Sequence, residues 1–491
     1  MTGIIMTQAA DCDNHLSATR LARAITPLTD RHPHVSGVHP LSDGMDAFAA
    51  RYLLTSMAER TLDVQYYIWQ NDMSGRLLFS ALLAAAERGV FIRLLLDDNN
   101  TMGLDETLSE LNRHPNIEIR LFNPFSFRTL RALGYLTDFA RLNRRMHNKS
   151  FTVDGVATIV GGRNVGDEYF GTGDEPLFTD LDVLAIGPVV EEVTRDFERY
   201  WHSRAVSPLN SVVDEETNNT HFAVSLPQDW RDSPRVQQYL SRLNASQFVS
   251  QLESGELLLI WARTRLLSDD PRKGLGRAKT STMLPQRMMA LLGRPQQQFD
   301  IISAYFVPTR AGVAQLLSLV RSGVKIAILT NSLAANDVSV VHAGYAKWRK
   351  KLLRHGITLY ELKPHGDAQD MPHDRGLTGN SGSSLHAKTF SVDNEKVFIG
   401  SFNFDPRSAV LNTEMGFLIE SETLATSVHQ RFVERMRDRA WKLRLDKWGR
   451  INWVEYEGEA GEMVHRHEPR TRFIQRLLVR LVWRLPVEWL L

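Results

Sequence analysis

Residues 147–154 read His-Asn-Lys-Ser-Phe-Thr-Val-Asp, and residues 386–393 read His-Ala-Lys-Thr-Phe-Ser-Val-Asp. Both stretches follow the pattern His-x-Lys-x-x-x-x-Asp. Gly-Gly-Arg-Asn at 161–164 follows the first copy, and Gly-Ser-Phe-Asn at 400–403 follows the second copy at the same spacing. A single octet would be weak evidence, whereas two octets with matched tails are strong evidence of an internal duplication.

Each octet predicts a β-hairpin with two functional side chains on one face. Val, Phe and Thr favour strands, and the Asp-Gly or Asp-Asn pair that ends the octet favours a tight turn. Side chains two positions apart share one face of a strand, so His147 and Lys149 point the same way. His386 and Lys388 do the same in the second copy. Together the copies predict a pocket with two imidazoles and two ammonium groups.

Such a pocket suits the chemistry of a phosphodiester. The ammonium groups would neutralise its non-bridging oxygens, one imidazole would attack phosphorus, and the other would protonate the leaving oxygen. Histidine is a usable nucleophile at neutral pH because its unperturbed pKa is about 6.5, and the product would be a phosphohistidine. The sequence has no His-Glu-x-x-His motif and no paired cysteine cluster, so we expect no metal and no cofactor.

The duplicated motif resembles the signature of the phospholipase D superfamily. Four flanking stretches are similar to the bacterial cardiolipin synthase C group, namely Gln-Tyr-Tyr-Ile-Trp at 65–69, Leu-Asp-Asp-Asn-Asn at 96–100, Asn-Val-Gly-Asp-Glu-Tyr-Phe at 164–170 and Tyr-Phe-Val-Pro-Thr at 305–309. The resemblance implies two α/β halves packed together, with the site in the cleft between them. By analogy with relatives in which the first copy attacks, it favours His147 as the nucleophile.

The pattern of apolar residues also repeats between the two parts of the chain. The first part alternates predicted helices and strands at 43–58, 62–69, 77–87 and 90–96. The second part repeats strand, helix and strand at 300–307, 313–320 and 324–329. Alternating strands and helices imply mainly parallel sheets, to which the motif hairpins would add antiparallel strands. The predicted fold is α/β, with two similar halves that each hold a mixed, mostly parallel sheet flanked by helices.

Changes in composition predict the domain limits. The predicted units are a polar N-terminal tail at 1–34, a first half at 35–208, a connector at 209–253, a second half at 254–440 and a C-terminal segment at 441–491. Within the last unit, residues 470–491 place apolar side chains at helical spacing, with an arginine every four residues beside them. Such a helix either lies in a membrane surface or docks on the protein's own core, and we favour the membrane surface.

Each catalytic imidazole needs a carboxylate on its other nitrogen. Asp154 and Asp393 belong to the motif and so to the candidate catalytic set, but they fall at the hairpin turn, where we expect a structural role. The predicted orienting acids lie on the next strand. They are Asp180, with Asp182 as its alternative, and Glu414, because in related enzymes an acid at this place bonds the motif histidine.

The predicted phosphate- and substrate-binding residues are Asn164, Asn403, Ser401, Glu168 and Tyr169. The asparagines and the serine stand beside the glycine turns that follow each motif, which would place them near the phosphate. Glu168 and Tyr169 lie in a loop, 166–178, that makes the first half longer, and this loop is a candidate for acceptor selection. A stretch rich in Gly, Ser and Asp at 366–384 is predicted to be a mobile loop over the site.

Composition narrows the function class. The chain has 491 residues with 58 Lys and Arg against 57 Asp and Glu, a balance that disfavours a dedicated DNA-binding protein. Cys12 is the only cysteine, so the chain cannot build an internal disulfide framework, which fits a reducing compartment. No uncharged apolar run approaches the roughly 20 residues of a membrane-spanning helix. We therefore expect a soluble or peripheral protein.

The resemblance implies phosphatidyl transfer to phosphatidylglycerol through a covalent phosphohistidine, with cardiolipin as product. The donor would be a phospholipid, either phosphatidylglycerol or phosphatidylethanolamine. The alternatives are a phospholipase D hydrolase that uses the same site and, less favoured, a phosphodiesterase or nuclease. The expected partners are phospholipid substrates and a membrane surface, with no nucleic acid. The expected location is the cytoplasmic face of the bacterial inner membrane, as a peripheral protein.

Overall fold

The computed structural model describes residues 19–128, 130–171, 179–213, 232–336, 339–364, 385–456 and 461–482. The helices are α1 Arg20–Thr29, α2 Gly44–Met57, α3 Met73–Glu87, α4 Asp105–Asn112, α5 Arg131–Leu142, α6 Asp167–Phe170, α7 Pro188–Trp201, α8 Pro234–Asn244, α9 Gln247–Ser254, α10 Leu284–Leu292, α11 Arg310–Arg321, α12 Ser339–Arg354, α13 Glu422–Arg439 and α14 Phe473–Val482.

The strands of the first half are β1 Ser36–Leu41, β2 Thr61–Tyr66, β3 Phe91–Asp97, β4 Ile117–Phe122, β5 Ser150–Val153, β6 Ala157–Gly161, β7 Asp182–Ile186 and β8 Val206–Pro208. Those that follow are β9 Ile260–Ser268, β10 Gln298–Ser303, β11 Lys325–Asn331, β12 Thr358–Leu362, β13 Lys388–Val392, β14 Lys396–Gly400, β15 Met415–Glu420, β16 Ala440–Leu445, β17 Ile451–Tyr456 and β18 Glu462–His465.

The two halves have sheets of matching order. The first sheet runs β8-β4-β3-β2-β5-β6-β7-β1, and the second runs β15-β14-β13-β10-β11-β12-β16-β17-β18. Strand β9 joins them, because its first residues pair with β1 and its later residues pair with β15. One continuous strand therefore fixes the position of each half against the other.

The predicted α/β class with two similar halves is confirmed, but the balance of strand directions differs from the expectation. Parallel pairing is limited to β2-β3-β4 and β10-β11-β12. The other pairs of described strands are antiparallel, so each sheet is mixed rather than mostly parallel. The reason is that each motif hairpin and the strand after it continue the sheet without a helical crossover.

Each half has its own apolar core, and a third core lies between them. In the shared core, Val160 and Val183 of the first half pack with Ile399 and Phe417 of the second half. These residues lie on β6, β7, β14 and β15, the strands that follow the two motifs. Burial of apolar surface thus holds together the two sheet faces that carry the motifs. Among the described residues, no helix is long and apolar enough to cross a membrane.

Several predicted limits need correction. The tail assigned to 1–34 contains helix α1. The side chain of Thr19 caps the N-terminus of this helix, and Leu21 is buried in the core of the first half. In the connector, α8 and α9 bury Tyr239 and Phe248 in that same core. Strands β16 to β18 extend the second sheet, so the second half continues past residue 440. Residues 1–18 and 214–231 lie outside the described residues.

The motif hairpins form as predicted, and their acids hold the turns. Asp154 and Asp393 both have positive φ, 50° and 54°, at the first turn position. Asp154 accepts backbone hydrogen bonds from residues 59–61 at 2.9 to 3.1 Å, just before β2. Asp393 accepts from residues 296–298 at 2.7 to 2.9 Å, before and at the start of β10. Each acid therefore fastens the far end of its hairpin to the neighbouring strand, away from the imidazole.

Candidate active site

The two halves exchange backbone bonds directly in front of the motifs. Met146 forms a parallel bridge with Thr413, and the amide of His147 donates to the Thr413 carbonyl at 2.9 Å. Leu385 forms the corresponding bridge with Thr179, and the amide of His386 donates to the Thr179 carbonyl at 2.9 Å. In each half, a threonine that precedes an acid thus pairs with the residues in front of the motif of the other half.

This exchange gives each histidine a carboxylate from the other half. The Nδ1 of His147 lies 2.8 Å from Oε2 of Glu414, and the Nδ1 of His386 lies 2.5 Å from Oδ2 of Asp180. Both acids are buried. A carboxylate at Nδ1 favours the tautomer in which Nδ1–H donates, which leaves Nε2 as the atom with a free lone pair.

Each motif lysine lies on the same face as its histidine. The ammonium of Lys149 donates to the carbonyl of His147 at 2.6 Å and sits 5.4 Å from the ring centroid of Tyr67. The ammonium of Lys388 donates to the carbonyl of His386 and lies 2.9 Å from its Nδ1. Both ammonium groups are thus held against backbone carbonyls beside the imidazoles, where a phosphate could meet them.

Burial and mutual repulsion shift the four basic groups in one direction. Burial, together with Lys149 and Lys388, lowers the pKa of His147 well below its ordinary value. Burial and Lys388 lower the pKa of His386 to about 3. Burial also lowers the pKa of Lys149, and it lowers that of Lys388 to about 8. Both imidazoles are therefore neutral at pH 7, which is the protonation state required of a nucleophile.

The two orienting acids differ in charge state. Burial raises the pKa of Asp180, but His386 and Lys388 outweigh burial and hold the pKa below its ordinary range. Burial raises the pKa of Glu414 to about 7 despite Lys149. Asp180 is therefore a carboxylate at neutral pH, whereas Glu414 titrates there. The pair with Asp180 is better suited to stabilise an imidazolium ion.

Asp182, the alternative to Asp180, has a different place. Its Oδ2 forms a buried ion pair with Arg51 at 2.8 Å, and its Oδ1 accepts from the backbone amide of Arg163 at 3.1 Å. This pair braces β7 against α2 and leaves the imidazoles to Asp180.

The glycine turns make room for the acids. A Cβ atom on Gly162 would lie 2.2 Å from Oδ1 of Asp180, so only glycine fits there. Ser401 stands at the matching place in the second copy, and its hydroxyl donates to Oε2 of Glu414 and to the Met415 carbonyl. The structure thus gives Ser401 a bond to the orienting acid, and its contact with phosphate stays a prediction.

The two asparagines also differ. Asn164 donates from Nδ2 to the Tyr169 hydroxyl at 3.0 Å and accepts from the amide of Ile68 at 3.3 Å, so both ends of its side chain hold protein groups. Asn403 accepts from the amide of Tyr305 at 3.5 Å. Asn164 is placed to position its neighbours, and Asn403 remains a candidate for a phosphate contact.

Two tyrosines pack edge-on against the catalytic imidazoles. The ring centroid of Tyr169 lies 5.1 Å from that of His386, with the planes at 77°. Tyr67 stands in the same relation to His147, at 4.9 Å and 71°. Tyr169 belongs to the candidate set from the sequence, and Glu168 lies beside it on α6, partly exposed. Most of the remainder of that loop, 172–178, lies outside the described residues, as does 365–384.

Four contributing residues were missed by sequence reasoning. Tyr67 lies in a quoted flanking stretch but carried no assigned role. Thr179 and Thr413 precede the acids in both copies, and this repeated Thr-acid pair was a usable signal. Asp269 accepts from the amide of Glu414 at 3.0 Å and from the Lys273 ammonium at 2.8 Å, and it has no counterpart in the duplicated pattern. Within the described part of the chain, no group of three or more His, Cys, Asp or Glu is placed to hold a metal ion.

Comparison with known proteins agrees with this geometry. Residues 54–201 and 288–437 match the family model described as cardiolipin synthase, PLD-like domain. Each matched range contains one motif and its following acid, and together they cover more than half of the chain.

Individual relatives extend the match to nearly the whole chain. The sequence is 65% identical over 472 residues to cardiolipin synthase C of Escherichia coli strain K12, covering 96% of this chain and 100% of that protein. It is 28% identical over 392 residues to cardiolipin synthase A of Pseudomonas syringae, covering 79% and 66% respectively. The crystal structure of phosphatidylserine synthase from Haemophilus influenzae matches with a TM-score of 0.59 and 13% identity, over 95% of this chain and 100% of that chain. This last likeness concerns the fold alone.

The crossed pairing predicts a specific response of each imidazole. In protein with ¹⁵N-labelled histidine, Glu414→Gln should change the imidazole signals of His147 and leave those of His386, because the carboxylate on Nδ1 sets the tautomer. Asp180→Asn should do the converse. Either change should lower turnover by about 10³- to 10⁴-fold. A response of His147 to Asp180→Asn instead would contradict the crossed arrangement.

Replacing Glu414 by Gln should also weaken the pH dependence of stability. Burial raises the pKa of this acid from 4.5 to about 7. A group whose pKa is raised on folding contributes its full stabilisation below its unfolded pKa, here about 4.5. This contribution is lost as the pH rises through the pKa in the folded state, here about 7. The free energy of unfolding of the native protein should therefore fall by up to about 3 kcal/mol relative to Glu414→Gln across that window. Urea unfolding at about pH 5 and pH 8 measures this, with Glu420→Gln, at the end of the strand that follows Glu414, as control. Parallel pH profiles for the native protein and Glu414→Gln would disprove it.

Proposed function

The chain belongs to the cardiolipin synthase family with PLD-like domains, and we propose that it transfers a phosphatidyl group from a phospholipid donor to phosphatidylglycerol through a phosphohistidine. The observation that carries this proposal is the pair of buried imidazoles, each oriented by a carboxylate of the other half. Family membership confirms the resemblance found in the sequence and implies phospholipid substrates. The chain is thus a PLD-type phosphatidyltransferase, and the donor headgroup and residue roles are proposals.

In the first step, Nε2 of His147 attacks the donor phosphorus. The Nε2–P bond forms as the bond from phosphorus to the headgroup oxygen breaks. The departing oxygen takes a proton from His386, which becomes protonated once the phosphodiester anion is bound and whose imidazolium is stabilised by the ionised Asp180. We assign the acid role to His386 for this reason and the attack to His147, whose partner Glu414 carries less charge at neutral pH.

The lysines prepare this step. Their pKa values are lowered, first by burial, in the protein without substrate. A phosphodiester anion between them would supply the missing negative charge, favour their protonated forms and raise the pKa of the acid His386. Substrate binding would therefore favour charged lysines, and their charge would stabilise the negative charge that develops on the phosphoryl oxygens, without a change in the fold.

In the second step, a hydroxyl of phosphatidylglycerol attacks the phosphohistidine. His386, now neutral, accepts the hydroxyl proton as the O–P bond forms and the Nε2–P bond breaks. The product is cardiolipin, and both imidazoles return to their starting forms. Attack by water at the same point would give phosphatidic acid, which is the hydrolase alternative. Tyr169, which packs against His386, and Glu168, the residue before it, are proposed to favour the lipid hydroxyl over water.

The C-terminal helix supports a peripheral membrane location. On α14 only Val479 is buried, against Leu333, Ala343 and Ala346. Five large apolar side chains of α14 stay exposed, namely Phe473, Ile474, Leu477, Leu478 and Leu481. A helix docked through Val479 and the partly buried Val482 can present its other apolar side chains to lipid, and its arginines suit anionic headgroups. We propose that α14 attaches the enzyme to the cytoplasmic face of the membrane. Residues 483–491 lie outside the described residues.

The covalent step can be tested directly. Purified enzyme incubated with labelled phosphatidylglycerol, with or without phosphatidylethanolamine, should form cardiolipin, and acid-labile, base-stable label should map to His147. His147→Ala and His386→Ala should each abolish turnover while remaining folded, and Asp154→Asn, away from the imidazoles, should keep turnover per folded molecule. Label on His386 would reverse the roles, and phosphatidic acid as the main product would favour the hydrolase.

Membrane attachment has a separate test. The triple change Ile474→Ser, Leu478→Ser and Leu481→Ser leaves Val479 in place and should abolish sedimentation with phosphatidylglycerol vesicles, because burial of each leucine-sized side chain contributes about tenfold to partitioning. Met289→Ser removes an exposed apolar side chain elsewhere and should have no effect. Undiminished sedimentation of the triple variant would refute the role of α14.

A further inference from the structure

Helix α5 leads directly into the first motif and turns its apolar side chains outward. It ends at Leu142, five residues before His147, and it buries only Gly134 and Leu142. Leu136 is 83% exposed, whereas a folded core would cover such a side chain. We define the apolar ridge as the exposed apolar residues of α5 and of the residues just before it, namely Phe127, Leu130, Leu133, Leu136 and Phe139.

The ridge is held firmly by polar contacts on its inner side. Arg128, beside Phe127, pairs with Asp98 and Asp105. Arg131 donates to the Asp98 carbonyl at 2.7 Å, and the Tyr135 hydroxyl donates to Asn99 at 2.9 Å. All these acceptors lie in the segment that follows β3. The helix is therefore anchored as far as Tyr135, and its helical geometry breaks at Asp138, before Phe139. The outward apolar face of the anchored part is held against the fold.

The same helix reaches the active site at its C-terminal end. Asn143 accepts from Arg407 at 2.8 Å, and Arg144 donates to the Val410 carbonyl at 3.2 Å. Residues 407–411 lie between Asn403 and Glu414, and Val410 is itself exposed. The apolar ridge thus borders both the motif of the first half and the acid-bearing segment of the second.

The apolar character of the ridge, rather than its charge, indicates which kind of surface it meets. Four of the five arginines between Phe127 and His147 pair with acids of the protein, and the fifth, Arg144, donates to the Val410 carbonyl beside the site. A fixed row of exposed apolar side chains next to the catalytic cleft suits insertion into the headgroup region of a bilayer. Phosphatidylglycerol, the acceptor of the proposed reaction, is an anionic lipid that resides in a bilayer, so the catalytic cleft must approach the bilayer surface.

We propose that the apolar ridge of α5 inserts into the surface of an anionic phospholipid bilayer and holds the catalytic cleft against it. This inference rests on the proposed function for the identity of the surface. It assigns the first half a membrane contact distinct from α14, which belongs to the C-terminal segment. On this view α14 secures attachment, and the ridge decides whether the attached enzyme can reach its lipid.

Insertion can be measured without any turnover. Cys12 is the only cysteine, so Leu136→Cys in a Cys12→Ser background carries a single environment-sensitive fluorophore. Addition of phosphatidylglycerol vesicles should shift its emission to the blue and increase it. Leu258→Cys, an exposed position in the second part of the chain, is the matched control and should not respond. A label at residue 136 that stays in water on vesicles to which the enzyme is bound would overturn the proposal.

Turnover gives the second readout. Leu133→Ser, Leu136→Ser and Phe139→Ser together should reduce turnover on phosphatidylglycerol vesicles at least about tenfold. Turnover on a short-chain phosphatidylglycerol dispersed as monomers should stay within about twofold of the native enzyme, because no catalytic group is changed. Equal loss on both substrates would indicate a structural role and overturn the proposal. Insertion of residue 136 by an enzyme that makes no cardiolipin would refute the proposed function and leave the ridge in place.

Discussion

The structure depends on one exchange: each catalytic imidazole takes its carboxylate from the opposite half. Thr179 and Thr413 bridge to the residues in front of His386 and His147, and this brings Asp180 and Glu414 to the two Nδ1 atoms. A single half would hold an imidazole without an orienting acid. The shared core around Val160 and Ile399, and the common strand β9, therefore serve catalysis as well as stability, because they fix the two halves against each other.

Burial makes this arrangement electrostatically demanding. Two lysines and two histidines share a region of low dielectric, and the pKa of each base is lowered, in the first place by the loss of water. The acids respond unequally, since Asp180 remains ionised and Glu414 has a pKa of about 7. A duplicated motif thus produces two chemically different histidines. That difference arises from neighbours such as Ser401 and Asp269, which break the symmetry of the duplication.

Catalytic and structural tasks are divided along each hairpin. The histidine and lysine stand where the strand begins, beside the opposite half. The aspartate stands at the turn and binds a row of backbone amides in its own half. A charged group that accepts three backbone hydrogen bonds fixes the strand that carries the imidazole, so the motif aspartate acts on geometry rather than on phosphorus.

The sequence by itself determined the duplication, the α/β class, the hairpins and the identity of the motif groups, because these depend on local spacing that recurs at a fixed interval. It also located Asp180 and Glu414, although the structure places both acids just before the strand that follows each hairpin, β7 or β15, rather than on that strand. It did not decide the direction of most strands, because a buried strand has the same apolar sequence pattern whether its neighbour is parallel or antiparallel. Helix α1 and strands β16 to β18 were not predicted for a related reason, since they pack on or pair with elements that are distant in the sequence. Only the tertiary structure decided that Asp180 serves His386 and that Glu414 serves His147. The linear order of residues does not contain the relative placement of two halves, and it is this placement that selects which carboxylate meets which imidazole.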